Sequence, residues 1–368
     1  MASPKSLSLA VVLLAVFSSP VAAAITSQFQ HFYSQHRPEW NYVLHHNCST
    51  QFANYLTGRP QDFTINIIGG ASSFTSLVQP VVECLLENGS QYIQAAESSA
   101  TVLLGVIPPI LASLSASADE LAALNVACRR PLLGFLITLG SPSIHLDRIF
   151  DVGDLSKLLE NHPSSLTLPD IERSWQRWVV VVSQYSLAAA AAANVLLLNY
   201  QLGLGTICAW WSNSTIGPLL WGWLSIPAYI VATISLRLRM RRIYSDEDLD
   251  TRIRFLDWCR LLPTRLYNFT KSELVPTVAQ KDIRVRIFEE TKISVAISWF
   301  LSTLIVIWVI FGSFLLYALL FIGPFNALVV IARYLASALL CRMIVIFEIS
   351  GLRKTAGKTA SQRRRMGL

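Results

Sequence analysis

The last apolar run of the chain, 325–349, contains three charged residues: Arg333, Arg342 and Glu348. Arg333 follows Pro324 by nine residues. That places it about 13 Å along a helix, where an arginine costs roughly 2.5–3.5 kcal/mol on insertion scales. A charge at that depth could bind an anionic headgroup or ligand, or pair with an acid such as Glu348. The alternative is a helix lying on the membrane surface, or arginines that extend to the headgroups.

Four histidines, His31, His36, His45 and His46, precede Cys48 in the N-terminal part of the chain. Their spacing matches neither His-Glu-x-x-His nor paired Cys-x-x-Cys, so we expect exposed or hydrogen-bonded histidines rather than a zinc site. The sequence also lacks the Gly-x-Ser-x-Gly elbow, the phosphate-binding Gly-x-x-x-x-Gly-Lys loop and the dinucleotide fingerprint. We therefore predict no catalytic, cofactor-binding or metal-binding residues.

The composition of the chain is typical of a membrane protein. Of its 368 residues, 53% are hydrophobic and only 14% are charged, which is too apolar for an ordinary soluble domain of this length. The net charge of +7 could indicate nucleic-acid binding. However, many basic residues flank apolar runs, and no helix-turn-helix or aromatic-basic platform is present. We therefore predict a membrane-surface role for this charge and no nucleic-acid partner.

The N-terminus predicts entry into the secretory pathway. Residues 1–24 combine Lys5, a short apolar stretch and small residues at the end, as in a signal peptide, with an uncleaved signal anchor as the alternative. Residues 25–97 then form a lumenal or extracellular segment with possible glycan acceptors at Asn47 and Asn88. Cys48 and Cys84 also lie in this segment, and we expect them to pair in the oxidising lumen, with two unrelated buried thiols as the alternative.

Five apolar runs are long enough to cross a bilayer, which needs about 20 residues per helix. We predict an all-α, polytopic fold with spans at 98–117, 178–200, 216–236, 294–322 and 325–349. Pro108 and Pro109 remove backbone donors from the first span and predict a kink there. The ten-residue run 131–140 rises only about 15 Å as a helix, so we expect it to lie on the surface or to dip in.

Glycan and charge signals agree on one orientation. Asn213 begins a third acceptor triplet in the loop 201–215, and four arginines between positions 237 and 242 follow the third span. The positive-inside rule places these arginines in the cytosol. The N-terminus is then lumenal, and the cytosolic parts are the loops 118–177 and 237–293 and the basic tail 350–368. In the six-span alternative 131–140 crosses, which puts Asn213 in the cytosol and the arginines in the lumen.

The stretch Ala100–Gly140 begins with ATVLLGVIPPILASL and continues with CRRPLL from Cys128 and LGSP from Leu139. With these residues, its lumenal segment, its proline-bearing first span and its C-terminal pair of spans, the chain resembles a group of uncharacterised multi-span integral membrane proteins of filamentous fungi. The resemblance implies a fungal protein of the secretory pathway or plasma membrane. It implies no activity and transfers no site residues.

Spans one to four, with these bounds, contain no Asp, Glu, Lys, Arg or His, which argues against proton-coupled pumps and intramembrane enzymes. We therefore expect a non-enzymatic scaffold or an interaction or sensor protein without cofactors. Its expected partners are the lipid bilayer, anionic headgroups at the basic tail and proteins at the loop 237–293. The alternative is a transporter or channel-like facilitator for a small solute or lipid.

Overall fold

The structure is a computed structural model. It describes residues 28–59, 61–67, 70–145, 174–212, 215–242, 273–279, 285–287 and 292–366. Side chains are described for these residues except 62–67, 70–75, 239–242, 285–287 and 356–366. The predicted signal peptide 1–24 and the glycan acceptor Asn213 lie outside the described residues.

The part of the chain before the first apolar helix folds into short helices and one hairpin. Its elements are α1 (Arg37–His46), α2 (Ser49–Leu56), β1 (Gln61–Ile67), β2 (Gly70–Ser76) and α3 (Gln79–Asn88). The two strands are antiparallel, with Gln61 opposite Ser76 and Ile67 opposite Gly70. Both α1 and α3 carry a proline in the first turn, where a missing N–H costs no helical hydrogen bond.

The rest of the described chain is mainly helices, with two pairs of short strands. The elements are α4 (Gln91–Gly105), α5 (Ile107–Leu114), α6 (Ala118–Val126), α7 (Pro131–Gly140), α8 (Ser174–Gly205), β3 (Ile207–Cys208), α9 (Gly217–Trp223), α10 (Ser225–Arg239), β4 (Met240–Arg242), β5 (Val285–Ile287), α11 (Lys292–Tyr317), β6 (Leu319–Leu320) and α12 (Pro324–Met366). Antiparallel pairing joins β3 to β6 and β4 to β5.

Five helical stretches are long and apolar enough to cross a membrane. They are Gln91–Leu114, Ser174–Gly205, Gly217–Leu238, Lys292–Tyr317 and Pro324–Thr355. The prediction of a helical chain with five candidate spans is therefore confirmed at this level. The most apolar part of α11 is only 28% buried within the protein, which leaves most of its side chains facing outward.

Several span boundaries differ from the predicted ones. The first helical stretch begins at Gln91 rather than at 98 and therefore includes Glu97, an acid that the predicted bounds left outside. The fourth ends at Tyr317 rather than at 322, because the next residues pair as β6 with β3. The last helix continues past 349 to Met366. Helical hydrogen bonding does not stop where the apolar composition stops, so the ends of the helices need not coincide with the ends of the predicted spans.

Prolines interrupt two of the five stretches. Pro108 and Pro109 cannot donate to the carbonyls four residues earlier, and the helix breaks at Val106, between α4 and α5. Pro227 lies just after a second break, at Leu224 between α9 and α10. The kink predicted in the first span is thus a short break in the helix.

The described chain divides into two compact units. Unit 1 is drawn from residues 1–108, 197–221 and 311–332. Its core surrounds Trp40, which is 1% exposed and whose ring meets Phe321 edge to face with the ring centres 5.0 Å apart. Leu44, Tyr55 and Leu85 complete the centre of this core. Aromatic side chains therefore make up much of the core of unit 1.

Unit 2 is drawn from residues 109–196, 222–310 and 333–368. Its core depends on small residues that let helices approach closely. A side-chain carbon on Gly140 would lie 2.8 Å from the sulfur of Cys341, so α7 and α12 touch at that position. Leu133 and Ile137 of α7 are buried in the same core. Part of the run 131–140 therefore packs inside unit 2. The expectation that this run lies on the membrane surface or dips in, rather than crossing, stays a prediction.

Residues 188–193 of α8 are all alanine, and this alanine tract has one buried face and one exposed face. Ala188 and Ala191 are buried in the core of unit 2, whereas Ala189 and Ala190 are exposed. This alternation follows the 3.6-residue period of a helix. The buried face has no room for a larger side chain.

We predict that Ala188→Leu destabilises the protein by about 1–3 kcal/mol, because it overpacks a close helix contact. Ala189→Leu, at the neighbouring exposed position, is the matched control and should have little effect. Thermal unfolding of both purified variants in detergent measures the difference. Equal melting temperatures for the two variants would contradict the packing described for α8.

Candidate functional site

A buried cluster of charged and polar side chains lies in unit 2 and centres on an ion pair. Arg130 and Glu348 are both 0% exposed, and Nη1 of the arginine donates to Oε1 of the carboxylate at 2.7 Å. Gln184 of α8 bridges the pair: its Oε1 accepts from Arg130 at 2.6 Å and its Nε2 donates to Glu348 at 2.6 Å. The pair joins residues 218 positions apart in the chain.

The backbone before α7 directs Arg130 inward. Arg129 adopts a φ of +56°, an unfavourable conformation for a residue with a side chain, and is itself exposed. The N–H of Arg130 then donates to the carbonyl of Leu124 at 2.8 Å, which closes the turn after α6. Pro131 starts α7 at a position that needs no donor. The local strain is maintained by the buried ion pair that it makes possible.

Glu348 receives a donor at every acceptor position that its carboxylate can readily offer. Oε1 accepts from Arg130 and Gln184, while Oε2 accepts from both the backbone N–H and the hydroxyl of Thr277, the former at 3.2 Å. Thr277 is 0% exposed. The carboxylate is thus held in place by four hydrogen-bond donors.

A second carboxyl, that of Glu273, lies beside the ion pair. It accepts the N–H of Leu132 at 2.7 Å, the first free donor of α7, and the hydroxyl of Tyr185. The guanidinium of Arg130 stacks over the ring of Tyr185, 5.3 Å from its centre. A negative group is favourable at a helix N-terminus. Burial nevertheless raises the pKa of Glu273 above its ordinary value of 4.5, against the lowering effect of the Tyr185 hydroxyl.

Residues 273–279 therefore attach to the helices of unit 2 at several points. Glu273 and Thr277 each make two of these contacts. In addition, Val278 packs against Gly351 of α12. A side-chain carbon on Gly351 would lie 2.7 Å from Val278, so only glycine allows this approach. The segment contributes one acceptor for α7, one acceptor for α8 and two donors for α12.

The charged residues predicted in the last span find partners other than those considered from the sequence. Glu348 pairs with Arg130, not with Arg333. Nε of Arg333 donates to Oδ1 of Asn194 at 2.9 Å, and Nδ2 of Asn194 donates to the hydroxyl of Ser337 at 2.8 Å. The pairing of Arg333 with Glu348 is thus corrected, because fifteen helical positions put the two residues about 22 Å apart along α12.

Arg342 pairs with Glu120, and this pair is partly exposed, at 28% and 17%. Glu120 also closes the capping box of α6, since its carboxylate accepts the N–H of Ser117 at 2.9 Å and its own N–H donates to the serine hydroxyl. The carboxylate of Glu120 thereby caps the N-terminus of α6 and also pairs with the positive charge of Arg342 on α12.

In unit 1 the structure brings together the residues predicted to be modified or oxidised. Cys48 and Cys84 form a disulfide. Asn47 and Asn88 are exposed, and their side-chain amides are hydrogen-bonded to each other. Among the residues that the structure describes, no three His, Cys, Asp or Glu side chains lie together as possible metal ligands.

Sequence reasoning missed most of the buried cluster. Arg130 looked like an ordinary basic flank beside an apolar run, and Glu273 and Thr277 lie in a polar loop without a motif. Glu97, which accepts a hydrogen bond from the indole N–H of Trp40 at 2.7 Å, was placed outside the first span. The signal that was present is the acid Glu348 in an apolar run, because a buried acid requires a buried partner somewhere in the chain.

Comparisons of the chain with protein-family models, with curated proteins and with solved structures found no match. The resemblance to fungal membrane proteins therefore stays a prediction, and the site has to be interpreted from its own geometry.

We predict that Arg130→Met destabilises the protein by about 3–5 kcal/mol, because it leaves the charge of Glu348 buried without a partner. The double variant Arg130→Met with Glu348→Leu should regain much of that loss, since no buried charge is left. Arg342→Met removes the partly exposed ion pair with Glu120, and this loss should lower the free energy of unfolding by less than about 1 kcal/mol. Unfolding free energies of the wild type, these three variants and the single variant Glu348→Leu test this. A double variant as unstable as the sum of its two single changes would contradict the prediction.

We also predict a pH dependence that originates from Glu273. The pKa of Glu273 is raised in the folded protein, so the neutral carboxyl stabilises the folded state relative to the unfolded state below pH 4.5. This stabilisation is lost as the pH rises through the raised pKa. Glu273→Gln should flatten that part of the profile of unfolding temperature against pH. Glu87→Gln, at an exposed glutamate, is the control. Superimposable profiles for the wild type and Glu273→Gln would refute the assignment.

Proposed function

We propose that the chain is a non-enzymatic multi-span membrane protein that acts as a scaffold or interaction protein of the secretory pathway or plasma membrane. The observation that carries the proposal is that the polar side chains of its apolar helices bind one another. Gln184 joins Arg130 to Glu348, and Asn194 joins Arg333 to Ser337. The side-chain amides of Gln184 and Asn194 are occupied by these bonds, so they hold helices together and are not free to handle a solute.

The outward-facing side chains support embedding in lipid. Large apolar residues of the long helices are about half exposed or more, among them Leu197 (56%), Ile234 (48%), Ile307 (57%), Ile310 (63%) and Met343 (58%). Soluble proteins rarely expose apolar side chains along so many helices. Hydrocarbon is the environment that accepts such a surface without cost.

The proposed orientation has a lumenal N-terminus and a cytosolic C-terminus. The arginines between 237 and 242 and the uncompensated basic residues after 350 favour the cytosolic side. The basic tail would then be attracted to anionic headgroups by about 1 kcal/mol per cation near the surface. The glycan acceptors Asn47, Asn88 and Asn213 would all face the lumen.

The attached segment 273–279 suggests how a partner could act on the helices. It belongs to the loop 237–293, the proposed docking site for proteins, and its Thr277 binds Glu348 directly. A partner that pulled this segment away would remove two of the four donors of a buried carboxylate. Binding at the loop would therefore change the stability of unit 2, which is what a sensor requires.

The second candidate is a transporter or channel-like facilitator, and one observation favours it. Nε and Nη2 of Arg130 are buried and have no hydrogen-bond partner among the described residues. Buried donors of this kind are costly unless water or a solute satisfies them. The break of the first span at Val106 would add local freedom to the helix.

Accessibility of Ser337 to a membrane-impermeant thiol reagent distinguishes the two candidates. Ser337 is 2% exposed and lies beside Asn194 and Arg333, and Ser337→Cys preserves the size of the side chain. For a scaffold we expect no labelling from either side of the membrane. Thr57→Cys, at an exposed position of unit 1, is the positive control, and the native cysteines of the unchanged chain give the background.

Labelling of Ser337→Cys as fast as that of Thr57→Cys would contradict the scaffold and favour the facilitator, because only a water-filled path lets the reagent reach that position.

A further inference from the structure

The two predicted glycan acceptors of unit 1 lie on either side of its disulfide. Asn47 directly precedes Cys48 in the connection between α1 and α2, and Asn88 is the last residue of α3, one helical turn after Cys84. The Cα atoms of the two cysteines are 5.9 Å apart. The disulfide therefore holds the two acceptors against each other, although they are 41 positions apart in the chain.

The side chains themselves are in contact. Nδ2 of Asn47 donates to Oδ1 of Asn88 at 3.0 Å, and Nδ2 of Asn88 donates to the carbonyl of Cys84 at 2.9 Å. The oxygen and nitrogen of one amide are about 2.3 Å apart, so the two nitrogens that would carry sugar lie within about 5 Å of each other. That distance is comparable with the width of a single sugar ring.

The two acceptor triplets also differ in how they are presented. Cys48, the middle residue of the first triplet, is 0% exposed and is bonded to α3. Gly89, the middle residue of the second, is extended, with φ −76° and ψ 148°. A side-chain carbon there would lie 2.7 Å from the ring of Trp40, so glycine is required. Both triplets are thus fixed parts of the folded unit rather than loose loops.

We propose that Asn47 and Asn88 form one shared N-glycosylation site, which carries a single glycan per molecule because the Cys48–Cys84 disulfide holds the second acceptor beneath the first sugar. In the transfer, the bond between Nδ2 and the anomeric carbon forms while the bond of that carbon to a polyisoprenyl diphosphate donor breaks, and the nitrogen loses one proton. The inference rests on the proposed lumenal position of residues 25–97.

The test counts glycans on the full chain expressed in a eukaryotic secretory pathway. The parent for this test carries Asn213→Gln and Asn268→Gln, which remove the two other Asn-x-Ser/Thr triplets of the sequence, so that only the pair is measured. Mobility before and after glycosidase digestion gives the count. We expect one glycan on the parent, one on Asn47→Gln and one on Asn88→Gln, because each acceptor substitutes for the other. Two glycans on the parent, or none on either single variant, would overturn the shared site.

Opening the disulfide should separate the acceptors and raise the count. Cys84→Ser is expected to carry two glycans, and Cys208→Ser, which removes a free buried cysteine of the same unit, to carry one. If Cys84→Ser impairs folding, a membrane-permeant thiol reductant can be added during synthesis of the parent. The glycan count is then measured with the disulfide open and both cysteines unchanged. A single glycan under both conditions would overturn the role of the disulfide.

Failure of the topology has a different signature from failure of this inference. If residues 25–97 face the cytosol, every variant will lack sugar, including Cys84→Ser, which would overturn the proposed orientation together with the shared site. A count of two on the parent would overturn the shared site alone and leave the lumenal orientation supported.

Discussion

The ion pair between Arg130 and Glu348 is the constraint that organises unit 2. Removing two charges from water costs several kcal/mol for each ion, and the attraction between them compensates only if the geometry is good and the other donors and acceptors find partners. Gln184 and Thr277 supply those partners for the carboxylate. The pair can therefore exist only when α7, α8, α12 and the segment 273–279 are all in position, so it specifies one arrangement of these elements.

Close helix packing keeps water away from the pair of Arg130 and Glu348, both of which are 0% exposed. Gly140 and the buried face of the alanine tract let α7 and α8 approach α12, and Gly351 lets Val278 lie against the helix backbone. Larger side chains at these places would open the contacts and admit water to the charges. The small residues and the buried charges thus lie in the same closely packed unit.

Unit 1 is stabilised in another way, by aromatic packing around Trp40 and by a disulfide that connects α3 to the start of α2. A covalent link is suited to an oxidising compartment. The buried cysteines Cys208 of unit 1 and Cys128 and Cys341 of unit 2 take part in no disulfide.

The sequence by itself determined the helical class and the five apolar stretches, because helix length and hydropathy are local properties that lipid selects directly. It also determined the break near Pro108, since a missing N–H acts within one turn. It could not identify the partner of Glu348, because Arg130 is 218 positions away and resembles a basic flank. Only the tertiary structure decided which charges are buried together, since burial depends on contacts between distant helices and not on the residues beside them.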